Sequence, residues 1–291
     1  MLQGRINSDT KTGLRRARPR TYVLLTAFIV ALALSLGADG TTKQAQPQSE
    51  KAEKEAGDFA IETKRQQIPL ANRKSIRIIN HLGDVRARNA KGSELNVISV
   101  IQRFKKSQTD AKTLIKTEGK EIEITTAYPS AVKGATEEGL QGRIDLSLLV
   151  PYGADLTIET KDGFIEVKKV QRRIDARSES GRIRISTGRR LSAHSDSGKL
   201  GITLGSPTKT ENARVSSVTG DIHVDFSNSP MPSITAQTKG KITEKGIGEE
   251  PSQKEENPEI YALKKGTQPG NLQVESQEGN IFLRALTPRQ K

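Results

Sequence analysis

The side chains that could do chemistry in this chain are three histidines, a few aspartates beside glycines, and a cluster of arginines and lysines. The histidines are His81, His194 and His223. They stand two before, four before and three after the nearest glycine of a repeated phrase, so a stacked repeat places them in different columns. The chain has no cysteine, which excludes thiol catalysis and zinc sites of the cysteine type. The sequence therefore predicts no metal site and no cofactor, and surface positions for the histidines.

Three aspartates could be catalytic carboxylates of the kind that β-helical polysaccharide lyases and hydrolases use. Asp162, Asp196 and Asp221 fall one before, two before and one after their glycines. Sugar hydrolysis needs two carboxyl groups held roughly 5–10 Å apart, and these offsets indicate no such pair. Aspartate beside glycine is typical of turns, and neither a nucleophile elbow nor a phosphate-binding Gly-Lys-Ser/Thr loop occurs. The sequence thus predicts no catalytic residue.

A basic cluster is the most suggestive surface feature. Between Lys161 and Lys199 there are eleven Lys or Arg and five Asp or Glu. Pairs of basic residues fall between strands, where stacking at about 4.8 Å per strand is expected to bring them into one patch. A solvated face that keeps outward strands from aggregating is the alternative interpretation. The predicted site for an anionic polymer consists of Lys168, Lys169, Arg172, Arg173, Arg182, Arg184, Arg189 and Arg190.

These residues belong to an internal repeat, which is the primary signal in the sequence. The phrase reads LTIETKDGFIEVKKV, then IDARSESGRIRIS, then LSAHSDSGKLGITL, and it recurs at 76–87, 213–226, 234–243 and 272–283. In six of the seven copies the glycine follows the opening residue by seven positions, as from Leu156 to Gly163. The predicted structural glycines are Gly83, Gly163, Gly181, Gly198, Gly220, Gly240 and Gly279.

Each copy predicts two short strands joined at its glycine. Leu156, Ile158 and Thr160 alternate with polar residues, as in a half-buried strand. The odd step from Ile158 to Ile165 requires a corner between them, where we expect glycine to supply a positive φ and the preceding Ser or Thr to bond the turn. Strands in a period of about 20 residues predict an all-β, single-stranded β-solenoid of the right-handed β-helix type. An antiparallel β-sandwich is the alternative.

The N-terminal part has the composition of a targeting segment. Residues 1–20 contain six Lys or Arg and lead into an apolar run. We expect this run to form the helix of a signal peptide or membrane anchor, with the N-terminus cytoplasmic if uncleaved and the rest exported to the cell envelope, in the periplasm or on the outer face of the cytoplasmic membrane. The predicted segments are a basic leader (1–20), this run (21–38), a flexible linker (39–57), the repeat domain (58–286) and a tail (287–291).

The repeat domain also resembles a known family. The order GDVRARNAKGSELNVISVIQRF, EGKEIEITTAYP, RIDLSLLVPYGADLTIETKDGFIEV and serial Ser-x-x-Gly rungs resembles the bacterial putative-adhesin family of β-strand repeats. It is more distantly similar to the head domain of putative autotransporter adhesins. The resemblance covers about residues 60–286 and implies an exported, often membrane-tethered β-solenoid. One departure is the Glu-, Lys- and Pro-rich insertion 245–270, whose composition favours disorder.

These observations predict a non-catalytic, adhesin-like binding or scaffold module at the cell envelope, tethered to the membrane through residues 21–38. The formal net charge is +13, of which residues 1–20 contribute +5, and the remaining surplus of about +8 fits an anionic envelope polymer or polysaccharide as partner. Nucleic acid is not expected, because aromatic residues for base stacking are scarce. Two alternatives remain open: an envelope-stress accessory that acts with a membrane signalling partner, and a polysaccharide-active enzyme on a β-helix.

Overall fold

The computed structural model describes residues 52–56, 59–104, 111–128, 142–205, 212–227, 232–247, 253–257, 260–265 and 270–286. These residues belong to one compact unit spanning 45–291. Among them there is no helix long and apolar enough to cross a membrane. The predicted leader and apolar run, the first part of the linker and the tail lie outside the described residues.

All described elements are strands. In chain order they are β1 (Ala52–Ala56), β2 (Phe59–Pro69), β3 (Ser75–Asn80), β4 (Val85–Ala90), β5 (Glu94–Phe104), β6 (Lys112–Glu118), β7 (Glu121–Ala127), β8 (Arg143–Pro151), β9 (Asp155–Thr160), β10 (Ile165–Lys168), β11 (Ile174–Ser178), β12 (Ile183–Thr187), β13 (Leu191–Ser195), β14 (Leu200–Leu204), β15 (Ala213–Ser217), β16 (Ile222–Ser227), β17 (Ser233–Thr238), β18 (Ile242–Lys245), β19 (Gln253–Asn257), β20 (Ile260–Lys265), β21 (Asn271–Ser276) and β22 (Ile281–Leu286).

The strands form two eleven-stranded sheets. Sheet 1 has the order β1-β2-β5-β8-β4-β10-β12-β14-β16-β22-β18, and sheet 2 has the order β19-β20-β17-β21-β15-β13-β11-β9-β3-β7-β6. From β9 to β16 the chain passes from one sheet to the other at every corner, so two consecutive strands make one rung. Neighbouring rungs pair in parallel and in register, as Ile165 does with Ile183 and Ile174 with Leu191.

The core lies between the sheets and is filled by aliphatic columns. Alternate residues of each strand point inward, so equivalent positions such as Ile158, Ala176, Ala193 and Val215 stack on one another with 1% exposure or less. A single rung cannot bury its apolar residues by itself. In the stack, the rungs on both sides cover them.

The rungs do not stack in sequence order. The last rung, β21–β22, lies between β15–β16 and β17–β18. At the other end β4 joins β10 directly, although about 75 residues separate the two strands, and β8 pairs on the far side of β4. The order of the rungs in space therefore depends on which sheet edge remains available for pairing. The repeated phrase does not encode this spatial order.

The all-β prediction is confirmed, in the form of two mixed sheets. The sheets are not uniformly parallel: β1, β2, β5 and β8 pair antiparallel at one end, and β17, β20 and β19 do so at the other. Nor is either sheet wholly antiparallel, as the sandwich alternative requires, because the central rungs pair in parallel.

Two predicted irregular segments contain strands. The end of the predicted linker 39–57 forms β1, which pairs with β2. The insertion 245–270 contributes β19 and β20, and β20 buries Leu263 opposite Ala236 of β17. The prediction of disorder for the insertion is therefore wrong for these strands, since a sheet edge supplies hydrogen-bond partners that composition does not reveal.

Both ends of the stack turn charged side chains inward. At one end Glu62 of β2 is 4% exposed, and Lys64 Nζ lies 3.3 Å from its carboxylate. At the other end Lys265 of β20 in sheet 2 pairs with Glu244 of β18 in sheet 1, with 3.1 Å between Nζ and Oε2. Of these residues only Glu244 stands on a terminal strand, β18, because β1 and β19 pair outside β2 and β20.

Candidate functional site

All seven predicted glycines lie in one column at the corner that leads from sheet 2 to sheet 1. A Cβ on six of them would lie closer than 3.0 Å to the carbonyl oxygen of the preceding glycine in the column. Only Gly83 has a positive φ, +115°, so the expected positive φ is wrong for the other six. Close backbone contact between rungs, and not an unusual φ, excludes a side chain there. The spatial order is Gly83, Gly163, Gly181, Gly198, Gly220, Gly279 and Gly240.

A column of buried hydroxyl groups supports the glycine column. The N–H of the corner glycine donates to the hydroxyl oxygen of the serine three residues earlier, at 2.9 Å in each case. Thr160 acts at the same place by donating to the Gly163 carbonyl oxygen at 3.1 Å. The corners therefore satisfy their buried backbone groups internally. The serines are Ser178, Ser195, Ser217 and Ser276.

The eight predicted basic residues fall in three places, and the pairs that were expected to share one patch lie at or beside the corners where the chain leaves sheet 1 for sheet 2. Arg182 precedes β12 at one edge, while Lys168 and Arg184 project from the outer face of sheet 1. The remainder occupy the opposite edge, where the chain leaves sheet 1 for sheet 2. The set therefore runs as a band along β10 and β12, from the corners where these strands begin to the corners where they end. The residues at the opposite edge are Lys169, Arg172, Arg173, Arg189 and Arg190.

Ion pairing divides this band. Lys168 lies 2.7 Å from Glu166, Arg172 lies 3.2 Å from Asp155, and Arg173 lies 3.0 Å from Asp175. The other five make no ion pair with any residue that the structure describes. Four of these five belong to one rung: Arg184 lies on the outer face of β12, Arg182 just before this strand, and Arg189 and Arg190 in the corner after it, so they flank about 17 Å of strand. We call these four, Arg182, Arg184, Arg189 and Arg190, the arginine line.

Glu166 is the acidic group within the band. It is 8% exposed and lies opposite Arg86 of β4 and Arg184 of β12. The hydrogen bond from Lys168 holds the pKa of Glu166 below its ordinary value against the opposing effect of burial, and the charges of Lys168, Arg88 and Arg184 act in the same direction as the hydrogen bond. Glu166 is thus ionised at neutral pH and offsets part of the charge of Arg184, the one member of the arginine line that lies opposite it.

The predicted aspartates have structural contacts. Asp221 accepts hydrogen bonds from the Asn280 N–H at 3.0 Å and from its side-chain amide at 3.2 Å. Asp162 accepts a hydrogen bond from Ser180. Both acids therefore tie neighbouring corners together. Among the described residues no group of three or more His, Cys, Asp or Glu is placed to hold a metal ion.

The three histidines lie in unrelated surroundings. His81 is exposed at a corner, and His223 stacks on Phe282 on the outer face of sheet 1, with ring centroids 4.3 Å apart. His194 bridges Ser216 and Asp196 on sheet 2: Nδ1 lies 2.8 Å from Ser216 Oγ, and Nε2 lies 2.9 Å from Asp196 Oδ1. A carboxylate can only accept, so Nε2 carries the proton toward Asp196. The positions of the histidines relative to the glycines did not reveal this hydrogen-bonded series of side chains, because Ser216 belongs to the next rung.

His194 and Ser216 also line a polar groove of about 570 Å³ on the outer face of sheet 2. It crosses β13, β15, β21 and β17 beside the corners, and Gln237, Lys239 and Glu275 contribute to its walls. The corner of β17 is one residue shorter than its neighbours, since Gly240 follows Thr238 by two positions and not three. That shortening was visible in the sequence. The groove could not be predicted from it, because the groove forms between rungs that are neighbours only in the folded structure.

No family model matches this sequence, and no curated protein matches it. A putative cell adhesion protein from Clostridium sporogenes is 12% identical, with a TM-score of 0.44 over 77% of this chain and 99% of its own. A putative adhesin from Bacteroides fragilis is 8% identical, with a TM-score of 0.30 over 76% and 96%. A putative lipid binding protein from Parabacteroides distasonis is 10% identical, with a TM-score of 0.27 over 77% and 97%. Bacterial putative adhesins are thus among the solved structures that this chain resembles, as its sequence led us to expect.

Proposed function

We propose that the chain is a non-catalytic binding module that holds an anionic envelope polymer on the basic band. The observation that carries this proposal is the arginine line, in which four arginines of one rung face outward without an ion pair to any described residue. Cations that are not neutralised by the protein itself remain available to an external anion. Arginine suits carboxylates and phosphates, because its planar guanidinium binds them in a bidentate manner.

The central rungs make a suitable platform for such a polymer. We propose that β9 to β16 act as a short, rigid β-solenoid, since their parallel register and their glycine and hydroxyl columns hold outward side chains at fixed spacing. A repeating polymer gains affinity when many weak contacts are made at once. Arginines spread along one rung and its two corners therefore favour an extended ligand over a small one.

We also propose that the module is exported and tethered at the cell envelope. The support comes from the sequence alone: six basic residues precede the apolar run 21–38, the charge bias that keeps an N-terminus in the cytoplasm. A reporter that is active only after export, fused behind Lys291, is expected to be active, with the mature protein starting near Ala38 or retaining its leader in the membrane fraction. An inactive reporter in a cytoplasmic product would contradict export.

The binding proposal can be tested with inorganic polyphosphate as an anionic probe. We expect the full-length chain to bind it with an affinity that falls steeply with salt, because charge attraction at a surface is screened over about 8–10 Å at physiological ionic strength. Changing the arginine line to Gln, as Arg182→Gln, Arg184→Gln, Arg189→Gln and Arg190→Gln together, should weaken binding by about tenfold or more.

A second variant with the same loss of charge controls for net charge alone. It replaces Lys116, Lys120, Lys241 and Lys245, which are exposed and lie outside the basic band toward the two ends of the stack, each by Gln. We expect this control to retain most of the affinity. Equal weakening of both variants, or a parent without salt-sensitive binding, would show the basic band to be only a solvated face.

A further inference from the structure

A glycine in the middle of β14 has no evident role in the fold. Gly201 points outward from sheet 1, where its neighbours along the strand, Leu200 and Ile202, are buried. It is absent from the residues with positive φ, and a Cβ there would meet nothing nearer than the Ile183 carbonyl oxygen at 4.0 Å. Glycine weakens a strand and often marks a close approach by a ligand or by another backbone. No described backbone approaches Gly201 as neighbouring corners approach the glycine column.

The pairing register identifies the neighbours of Gly201 on the outer face. Arg184 of β12 lies on one side, and His223 of β16 lies on the other. Phe282 of β22 follows His223 in the same row. Reading across the strands, the row is therefore a guanidinium, a gap, an imidazole and a phenyl ring.

The stacked rings define the wall of this gap. The His223 and Phe282 rings are 4.3 Å apart and inclined by only 12°, close to the strand spacing of about 4.8 Å. Their stacking axis therefore runs across the strands, and the free face of the imidazole looks toward the space above Gly201. His223 is exposed, so this face is accessible.

The gap has the width of one ring. Arg184 and His223 stand on strands two positions apart, which separates them by about 9.6 Å. A single ring placed midway would lie about 4.8 Å from each strand position, which leaves room for one ring between the guanidinium and the imidazole. Gly201 forms the floor, and any side chain there would occupy the place of the inserted ring.

The surroundings of the gap are cationic at one end. Arg182 and Lys199 precede β12 and β14, and the Ile183 N–H donates to the Lys199 carbonyl oxygen at 3.0 Å, so the two basic residues are neighbours. Both are exposed. Lys199 Nζ also lies 3.9 Å from Asp221 Oδ2, so Arg182 is the cation of this pair that has no described ion-pair partner. Thr203, the next outward residue of β14, adds a hydroxyl group on the other side of Gly201. A ligand ring in this gap would meet positive charge, a hydroxyl and a flat aromatic face.

We propose that this gap is a slot for one sugar ring of an acidic polysaccharide, with the ring on His223 and its carboxylate held by Arg184 and the cations at the entrance. The inference rests on the proposed function and narrows its ligand from any polyanion to a uronic-acid polymer. Stacking supplies recognition of the ring, while bidentate pairing with arginine supplies recognition of the carboxylate.

The test fills the slot and compares two probes. Gly201→Val is expected to leave stability unchanged or slightly raised, because an outward strand position favours a β-branched residue. Polygalacturonate carries a ring and a carboxylate in every unit, whereas inorganic polyphosphate has charge without a ring. With the full-length chain, we expect Gly201→Val to weaken polygalacturonate binding by about tenfold and to change polyphosphate binding by less than about twofold.

Thr157→Val, at an outward position of β9 in sheet 2, is the matched control and should affect neither probe. If the parent binds both probes and Gly201→Val leaves polygalacturonate affinity intact, the proposed sugar slot is rejected, and the proposed binding of polyanions to the basic band is retained. If Gly201→Val weakens both probes equally, ring recognition is overturned. If the parent binds neither probe, both the slot and the proposed function fail.

Discussion

Gly181 stands so close to the carbonyl oxygen of Gly163 on the neighbouring rung that a Cβ on Gly181 would overlap that oxygen. The same relationship repeats along the glycine column, so the stacking of backbone on backbone at this corner is a property of the whole stack. It explains why the repeat keeps glycine where neither φ nor a turn type demands it.

Gly181→Ala should therefore be strongly destabilising. The methyl group can only be accommodated if two rungs separate, and overpacking of this kind costs about 3 kcal/mol. Gly201→Ala is the control, because its Cβ enters open space, and we expect it to be neutral or to stabilise by up to about 1 kcal/mol. Urea denaturation of both variants measures the difference. Equal midpoints would contradict the backbone contact inferred for the column.

The ion pair between Lys265 and Glu244 should behave as a buried pair. Lys265 has 7% of its side chain exposed and Glu244 has 21%. Lys265→Met leaves a largely buried carboxylate without its partner, and we expect it to lower the free energy of unfolding by about 2 kcal/mol. The double variant Lys265→Met with Glu244→Leu should recover most of that loss. A double variant as unstable as the single one would show that the pair matters through packing alone.

Glu166 should make stability depend on pH in the acid range. Its pKa is lowered chiefly by the hydrogen bond from Lys168, so its contribution is fully present above the ordinary glutamate pKa of 4.5 and is lost as the pH falls through the lower folded value. The stability gap between the parent and Glu166→Gln should thus shrink on acidification. Glu179→Gln, at an exposed corner, is the control for charge. A gap that stays constant through the acid range would contradict the assigned interaction.

Ser216 should not behave as a nucleophile, although His194 links it to Asp196. In serine hydrolases the aspartate that orients the histidine is buried, whereas here Asp196 has half of its side chain exposed. We therefore expect no covalent labelling of Ser216 by a fluorophosphonate probe, as judged by mass spectrometry of the intact protein. Labelling that disappears in both Ser216→Ala and His194→Ala would overturn the non-catalytic proposal and favour the enzyme alternative.

The amino-acid sequence by itself determined the local unit. Alternating residues such as Leu156 and Ile158 fix which side of a strand faces the core, because side chains alternate strictly along a strand. The recurring Ser-x-x-Gly spacing fixed where each rung turns, since the hydroxyl group and the glycine of one corner lie three residues apart. For the same reason the all-β class was predictable.

Only the tertiary structure decided how the units meet. The rung β21–β22 lies between two rungs that precede it in the sequence, and β20 pairs with β17. Both placements depend on which sheet edges remain open, and no residue of the repeat specifies them. The same assembly brought Ser216 to His194, and it set Arg184 and His223 on either side of Gly201. These relationships join residues of different rungs, so they follow from stacking order and register, which local alternation leaves free.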